Sequence, residues 1–305
     1  MTLLKAVDPE WVAIHRIADS LAPGLQAEFL KAFESLRGLL PLNQLTELIE
    51  TESFFEIGEL INALKLPNPK PIQDLLQTAA IQTGKLTTTG LNLSFTLDNP
   101  AVVRWVETHT GQLITQVTTQ TKKAVAGIVR EGFIEGVPPR SQARQIRRIV
   151  GLTSRDSGAV DRFLRGQLSA GIKTGRAEEM TQRMADRLLR RRAETIARNE
   201  SMTAANQGQL QAWRDAADGG LLDPSITKRV WLAAGDSRTC PICAVLDGQT
   251  VGFEEPFTSS VQAVEFTRDG IDFTVVSTKP LKEPIVEQTP PAHVRCRCSV
   301  GLAFD

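Results

Sequence analysis

All four cysteines of this chain sit in two tight clusters, Cys240-Pro-Ile-Cys243 and His293-Val-Arg-Cys296-Arg-Cys298. Soft thiolates at Cys-x-x-Cys spacing, with an imidazole and further thiolates close together, are what a tetrahedral structural zinc ion takes. The two clusters would then be the two ends of a clasp that closes the loop between them. Two other readings compete: a disulfide pair, or four reduced and buried cysteines. A disulfide-stapled domain normally belongs to a small secreted chain, whereas Met1-Thr-Leu-Leu-Lys5 leads straight into polar helical sequence and no signal peptide is expected. Five candidate ligands compete for four positions. Cys296 and Cys298 are one residue apart, so in a regular strand they share a face but stand separated along it. One of them is expected to coordinate. His-x-x-Cys spacing suits a knuckle and points to Cys296, with Cys298 as the alternative, beside Cys240, Cys243 and His293.

These residues must be carried by elements, and the hydrophobic period divides the chain into three zones. Residues 1–80 read as helical, opening after Asp8-Pro9, with breaks at Pro23-Gly24 and Leu40-Pro41 and a proline-rich connector at Pro67, Pro69 and Pro71. Residues 81–220 read as a helical core. Leu91–Leu97 alternates like a short strand, Asn99-Pro100 supplies a cap and a first-turn proline, and Gly136-Val-Pro-Pro139 and Gly151–Ser154 are breaks. Ser141 is expected to cap an arginine-rich helix, and a long helix from Ala177 to Asp215 ends at Gly219-Gly220. From 221 to 305 the period changes to strands, with Asp269-Gly270 as a hairpin signal. The fold class expected is α+β: mainly helical N-terminal and central zones, then a small β-rich domain clasped by Cys and His.

Composition narrows the functional classes. With 305 residues, 41% of them hydrophobic, the chain is large enough for a real core, and no stretch approaches the roughly 18 apolar residues of a membrane span. The net charge is zero, from 35 basic and 35 acidic residues. That balance hides an asymmetry, because Arg140–Glu200 holds fifteen Lys/Arg against seven Asp/Glu. Arg147, Arg148, Arg190, Arg191 and Arg192 are the candidate contacts to DNA phosphates. Only Phe163 interleaves the arginines, so no base-stacking platform is present. The alternative is a solvated helix face with Glu178, Glu179, Asp186 and Glu194 as counter-charges.

Three pieces of the sequence carry a resemblance. They are Gly132-Phe-Ile-Glu-Gly136 before the arginine-rich helix; Ala193-Glu-Thr-Ile-Ala-Arg-Asn-Glu200 with Ala205-Asn206 and Gly208; and Asp236-Ser-Arg-Thr-Cys-Pro-Ile-Cys243 with Leu246-Asp-Gly248 and Pro290-Pro-Ala-His-Val-Arg-Cys-Arg-Cys298. From about Phe95 to Asp305 the chain resembles the phage Mu F-type minor head proteins, or phage head morphogenesis proteins, a group that includes the SPP1 minor head protein. Val294 stands where that family commonly has a small residue or proline.

The resemblance implies a virion component rather than an enzyme. It implies a place on the capsid interior near the portal vertex after assembly in the host cytoplasm, and partners among the portal protein, other capsid or scaffold proteins and, non-specifically, DNA. It also implies a part in procapsid assembly and in DNA packaging or delivery. Residues 1–80, outside the resemblance, are the candidate portal-binding part. Two alternatives are a zinc-containing nucleic-acid binder and a metal-dependent enzyme built on Asp236, Asp247 and His293. Residues 244–289 hold only Arg268, Lys279 and Lys282 against eight acidic residues, which disfavours the first. A thiolate-rich ligand set is typical of closed sites, which disfavours the second. Asp236, Arg238 and Asp247 are read mainly as turn chemistry around the first cysteine pair.

Overall fold

The structure, a computed structural model, describes residues 9–66, 68–89, 94–96, 99–234, 239–269 and 272–304. The chain begins with the helix α1, Pro9–Gly38, continuous through Pro23, where the sequence suggested a break. A proline removes one backbone donor from a helix, but here the apolar stripe Ile14, Ala18, Ala22, Leu25, Phe29, Phe33 and Leu36 carries on across it, every member buried. Next come α2 (Leu42–Glu50), α3 (Phe54–Asn62), α4 (Lys70–Thr87), α5 (Pro100–Ile134), α6 (Pro139–Ile149), α7 (Ser154–Ser169) and α8 (Thr174–Asp218). The C-terminal part adds β1 (Thr227–Leu232), α9 (Pro241–Leu246), β2 (Thr250–Gly252), β3 (Phe257–Asp269), β4 (Asp272–Glu287) and β5 (Ser299–Phe304). The α+β class and the order of helices before strands are as the sequence implies.

Several boundaries have local causes. Asn99 caps α5 by accepting from the N–H groups of Ala101 (3.0 Å) and Val102 (3.3 Å). The helix ends where Val137 N–H returns to the Gly132 carbonyl and Gly136 takes φ +65°. The arginine-rich α6 starts at Pro139 with Pro138 before it, two residues ahead of the expected cap Ser141. Thr153 caps α7 by accepting from Asp156 N–H at 3.2 Å. At the end of α8, Leu221 N–H reaches the Ala216 carbonyl (2.8 Å) and Gly220 takes φ +72°, the left-handed stop that its two glycines announce. The strand read over Leu91–Leu97 falls mostly outside the described residues, and Ser94–Thr96 are not in a strand.

By contacts the chain divides into two compact units, and their limits differ from the three zones read along the sequence. One comprises Met1–Leu25, Gln73–Val106 and Thr195–Asp305; the other Gln26–Ile72 and Glu107–Glu194. The first unit holds all the strands found among the described residues. β1 is the middle of an antiparallel sheet ordered β2-β1-β5, with Val230 opposite Thr250 on one side and Gly301 on the other. β3 and β4 form a separate two-stranded ribbon whose register runs from Phe257 opposite Glu287 to Asp269 opposite Asp272. These are the two antiparallel strands expected on either side of Asp269-Gly270; Gly270 itself lies outside the described residues. The core of this unit gathers Leu210 and Trp213 of α8, Trp231, Leu246, Phe253, Phe257 and Val300 around Cys243, Cys296 and Cys298. A smaller cluster joins Ile14 and Ala18 of α1 to Met202 and Ala205 of α8.

The second unit is helical. Gln142 donates to the Val129 carbonyl at 2.7 Å, and a Cβ on Gly132 would stand 2.2 Å from the same Gln142 amide. Gly132 thus leaves room for α6 to bond to α5. Arg165 of α7 joins Asp161, Glu135 and, at 3.4 Å, Glu131 in a half-exposed network.

Candidate metal centre

Each half of the clasp has its own local reason to aim its side chains inward. Cys240 is the N-cap of α9: its thiol sulfur accepts from Cys243 N–H at 3.4 Å, and Pro241 occupies the first helical position. One turn of helix then brings the Cys243 sulfur alongside it. On the other strand of the clasp, Cys296 N–H bonds to the His293 carbonyl at 3.0 Å, closing a turn in which Arg295 takes φ +65°. The turn puts the His293 ring and the Cys296 thiol on one side, which a regular strand would not do for residues three apart.

The four groups meet. His293 Nε2 lies 3.0 Å from the sulfurs of both Cys240 and Cys243, and the Cys243 and Cys296 sulfurs are 3.7 Å apart. Bonds of about 2.3 Å to sulfur make a tetrahedral edge of about 3.8 Å between two thiolates, so the Cys243–Cys296 separation suits a shared ion. Cys243, Cys296 and Cys298 are buried, while Cys240 and His293 are half-buried. His293 Nδ1 stands 2.9 Å from the Val294 carbonyl. Donation there fixes the tautomer that leaves Nε2 as the electron-pair donor, the usual outer support of a metal-bound imidazole. Cys240, Cys243 and His293 form one grouping within ligand distance of a single ion, and Cys243, Cys296 and Cys298 form a second, with Cys243 common to both.

The thiols are not disulfides, and their charges are divided by proximity. Donation from Cys243 holds the Cys240 thiol down to about 4 and Cys296 well below the ordinary thiol range. Cys243, whose proton supports both neighbours, is pushed strongly upward. Its bond draws Cys298 down as well, but the adjacent Cys296 and burial outweigh it and raise Cys298. Hydrogen bonds with Cys240 and Cys296 raise His293 to about 10. Thiolates crowded this closely call for a cation, and the cluster could hold a metal ion.

The surroundings of the clasp account for much of the motif sequence. Asp247 accepts from Ala233 N–H at 3.0 Å and Gly248 takes φ +74° with its N–H on the Trp231 carbonyl, so this pair is turn chemistry. Asp236 and Arg238 lie outside the described residues. On α8, Asn206 accepts from Ser299 Oγ at 3.4 Å, directly after Cys298, and Arg295 donates to Thr195 at 3.2 Å. Ala193 and Ala197 form the buried stripe of the helix, with Ile196 only half-buried, and Arg198 reaches Asp19 at 3.8 Å.

Residues 163–301 match the family model described as Phage Mu protein F like protein. This stretch is phage Mu F-like. It runs from within α7 to β5 and contains all five metal-ligand candidates; the Gly132–Gly136 piece lies upstream of it. No curated protein and no solved structure matches the chain. Among the described residues no helix is long and apolar enough to cross a membrane.

The Mu F-like segment also contains Arg190, Arg191 and Arg192, which the structure separates. Arg190 and Arg191 are exposed. Arg192 is only 8% exposed; it donates to the Gly151 carbonyl and to Gln120 Oε1 (2.7 Å), and its guanidinium lies over the Phe33 ring. Burial lowers it to about 10. Arg192 is therefore an internal strut, not a face presented to a duplex. Of the α6 pair, Arg147 is half-buried and Arg148 is 7% exposed.

Two residues escaped the sequence reading. Arg229 of β1 is fully buried, with its guanidinium on the carbonyls of Gln288 (2.5 Å) and Glu255 and over the Phe257 ring. His15 of α1 sits against the backbone of Arg297, between the two last cysteines, and burial pushes it down to about 4. A lone arginine in a strand and a lone histidine in a helix carry no pattern that would have marked either.

Proposed function

We propose that this protein is a phage minor head protein that acts in head morphogenesis on the capsid interior beside the portal. The observation that carries the reading is the Mu F-like match over residues 163–301, which takes in α8 and the whole Cys/His clasp. The partners on this reading are the portal protein and neighbouring capsid or scaffold proteins, with residues 1–80 as the portal-facing part. DNA contact, where it occurs, falls to the exposed Arg190 and Arg191 and is sequence-independent.

Zinc is the ion the clasp would take, through Cys240, Cys243, His293 and Cys296. Three thiolates and one imidazole satisfy a tetrahedral ion completely, so the site would be structural, with no position open for substrate. That supports a non-enzymatic protein. The clasp would lock the α9 knuckle to the approach of β5 and so hold the sheet β2-β1-β5 on the core that α8 shares.

The test is cryo-EM of the portal vertex of the source particle with symmetry relaxed, together with mass spectrometry of purified heads. Density for this chain against the portal, and its peptides in the heads, are the expected results. Peptides absent from procapsids and mature heads alike would remove the assignment.

A further inference from the structure

The helical unit of residues 26–72 and 107–194 contains a cleft of about 390 Å³ lined by Glu34, Arg37, Leu42, Arg144, Arg147, Arg148 and Gln182. Four guanidiniums face one carboxylate. Glu34 is already paired with Arg37 at 2.9 Å, and Arg144 reaches Glu178 at 3.2 Å. Arg37 also donates to the Arg147 carbonyl at 3.1 Å, which fixes α1 against α6 at the cleft wall. Among the described residues that leaves two of these cations, Arg147 and Arg148, without an ion pair. Arg147 has a buried Nε with no hydrogen-bond partner. Arg148, 7% exposed, spends its Nε on Gln182 Oε1 at 3.3 Å and has no hydrogen-bond partner for its two terminal nitrogens among the described residues. Burial lowers the Arg148 guanidinium and the neighbouring Arg144 adds to that, while the nearby carboxylates of Glu178 and Asp186 oppose it without reaching ion-pair distance.

A buried guanidinium without its full set of acceptors is costly, and several around one cleft are costlier still. An anion with oxygens on more than one side would satisfy them, since guanidinium forks match phosphate oxygens in pairs. We propose that this cleft binds a phosphate group carrying at least two negative charges. A single carboxylate would leave one of the two unpaired cations uncompensated. The lining has no aromatic ring and only Leu42 as an apolar wall, so recognition is of the phosphate and not of a base or an acyl chain. This site is distinct from the metal clasp and does not depend on the head-morphogenesis reading.

The probe is inorganic pyrophosphate, titrated into the full-length protein by isothermal calorimetry at low salt. Binding is expected, weakened about tenfold or more in Arg147→Gln and in Arg144→Gln, the loss of one charge-assisted hydrogen bond. Arg183→Gln, on the same helix as Gln182 but outside the cleft, should bind as the parent does. Circular dichroism melts identify a variant that fails to fold, and the exposed Arg144 position keeps the test open if Arg147→Gln does. A short DNA duplex separates the sources. Displacement of the duplex by pyrophosphate, with its loss in Arg147→Gln, assigns the phosphate to a nucleic-acid backbone. Pyrophosphate binding without competition assigns it to a free phosphate or phosphate ester. No pyrophosphate binding, equal binding by both cleft variants and the parent, an equal loss in Arg183→Gln, or tighter binding of an acidic peptide would each overturn the proposal.

Discussion

A Cβ on Gly208 would stand 2.0 Å from the carbonyl oxygen of Ala80. Here α8 and α4 cross with backbone against backbone, and the glycine of the Asn206-x-Gly208 motif is what permits it. Unlike a crowded side chain, the Ala80 carbonyl cannot rotate away, so any substituent must push the helices apart. Gly208→Ala should therefore destabilise the protein by about 1–3 kcal/mol despite the better helix propensity of alanine. Urea unfolding measures this. A variant as stable as the parent would show that the crossing gives way without cost.

Metal binding should depend on the ligand set unequally. Elemental analysis should find one zinc per chain in the purified protein. Cys240→Ser, His293→Ala and Cys296→Ser should each lower that content, whereas Cys298→Ser should keep it, because the His293–Cys296 turn already completes four donors. Since Trp213 and Trp231 share the core with Cys243 and Cys296, removal of the ion by a chelator should change tryptophan fluorescence and lower the melting temperature. Retention of zinc by Cys296→Ser with its loss from Cys298→Ser would exchange the two ligands.

The sequence disclosed what depends on short spacing and missed what depends on packing. Both cysteine clusters, the cap at Asn99, the double-glycine stop of α8 and the strand hairpin are all local signals, and each stands in the fold where it was read. Pro23 misled because a local penalty was outweighed by a buried stripe extending on both sides of it. The turn at Arg295 was not legible, because it joins His293 to Cys296 through a left-handed residue that no glycine or asparagine announces. Arg192 looked like its two neighbours in the run; only helical phase against Phe33 and Gly151 distinguishes a buried strut from two exposed cations. Arg229 could not be read at all, because its partners Glu255 and Gln288 are carbonyls from distant loops.

That difference within one arginine run can be measured. Arg190→Glu combined with Arg191→Glu should weaken DNA binding and flatten its salt dependence with little loss of stability. Arg192→Leu should do the opposite. It removes charge-assisted bonds to Gly151 and Gln120 and should cost about 2–3 kcal/mol in urea unfolding, while the salt slope of DNA binding stays as in the parent. A flattened slope in Arg192→Leu, measured by fluorescence anisotropy over a salt series, would return that residue to the surface.

Arg229 should govern the root of the β3–β4 ribbon. Its guanidinium bonds to the Gln288 carbonyl just after β4 and the Glu255 carbonyl just before β3, and it stacks on Phe257, the first residue of β3. A two-stranded ribbon is marginal by itself and needs an anchor where it leaves the body. Arg229→Met keeps the aliphatic bulk but removes the donor from two part-buried carbonyls, at a cost of about 1–3 kcal/mol in all. Amide hydrogen exchange should then rise first at 254–258 and 285–288, ahead of the α8 segment 202–213, because the lost bonds hold only the ribbon's base. Uniform acceleration across both regions would mean that Arg229 supports the core as a whole and not the ribbon root.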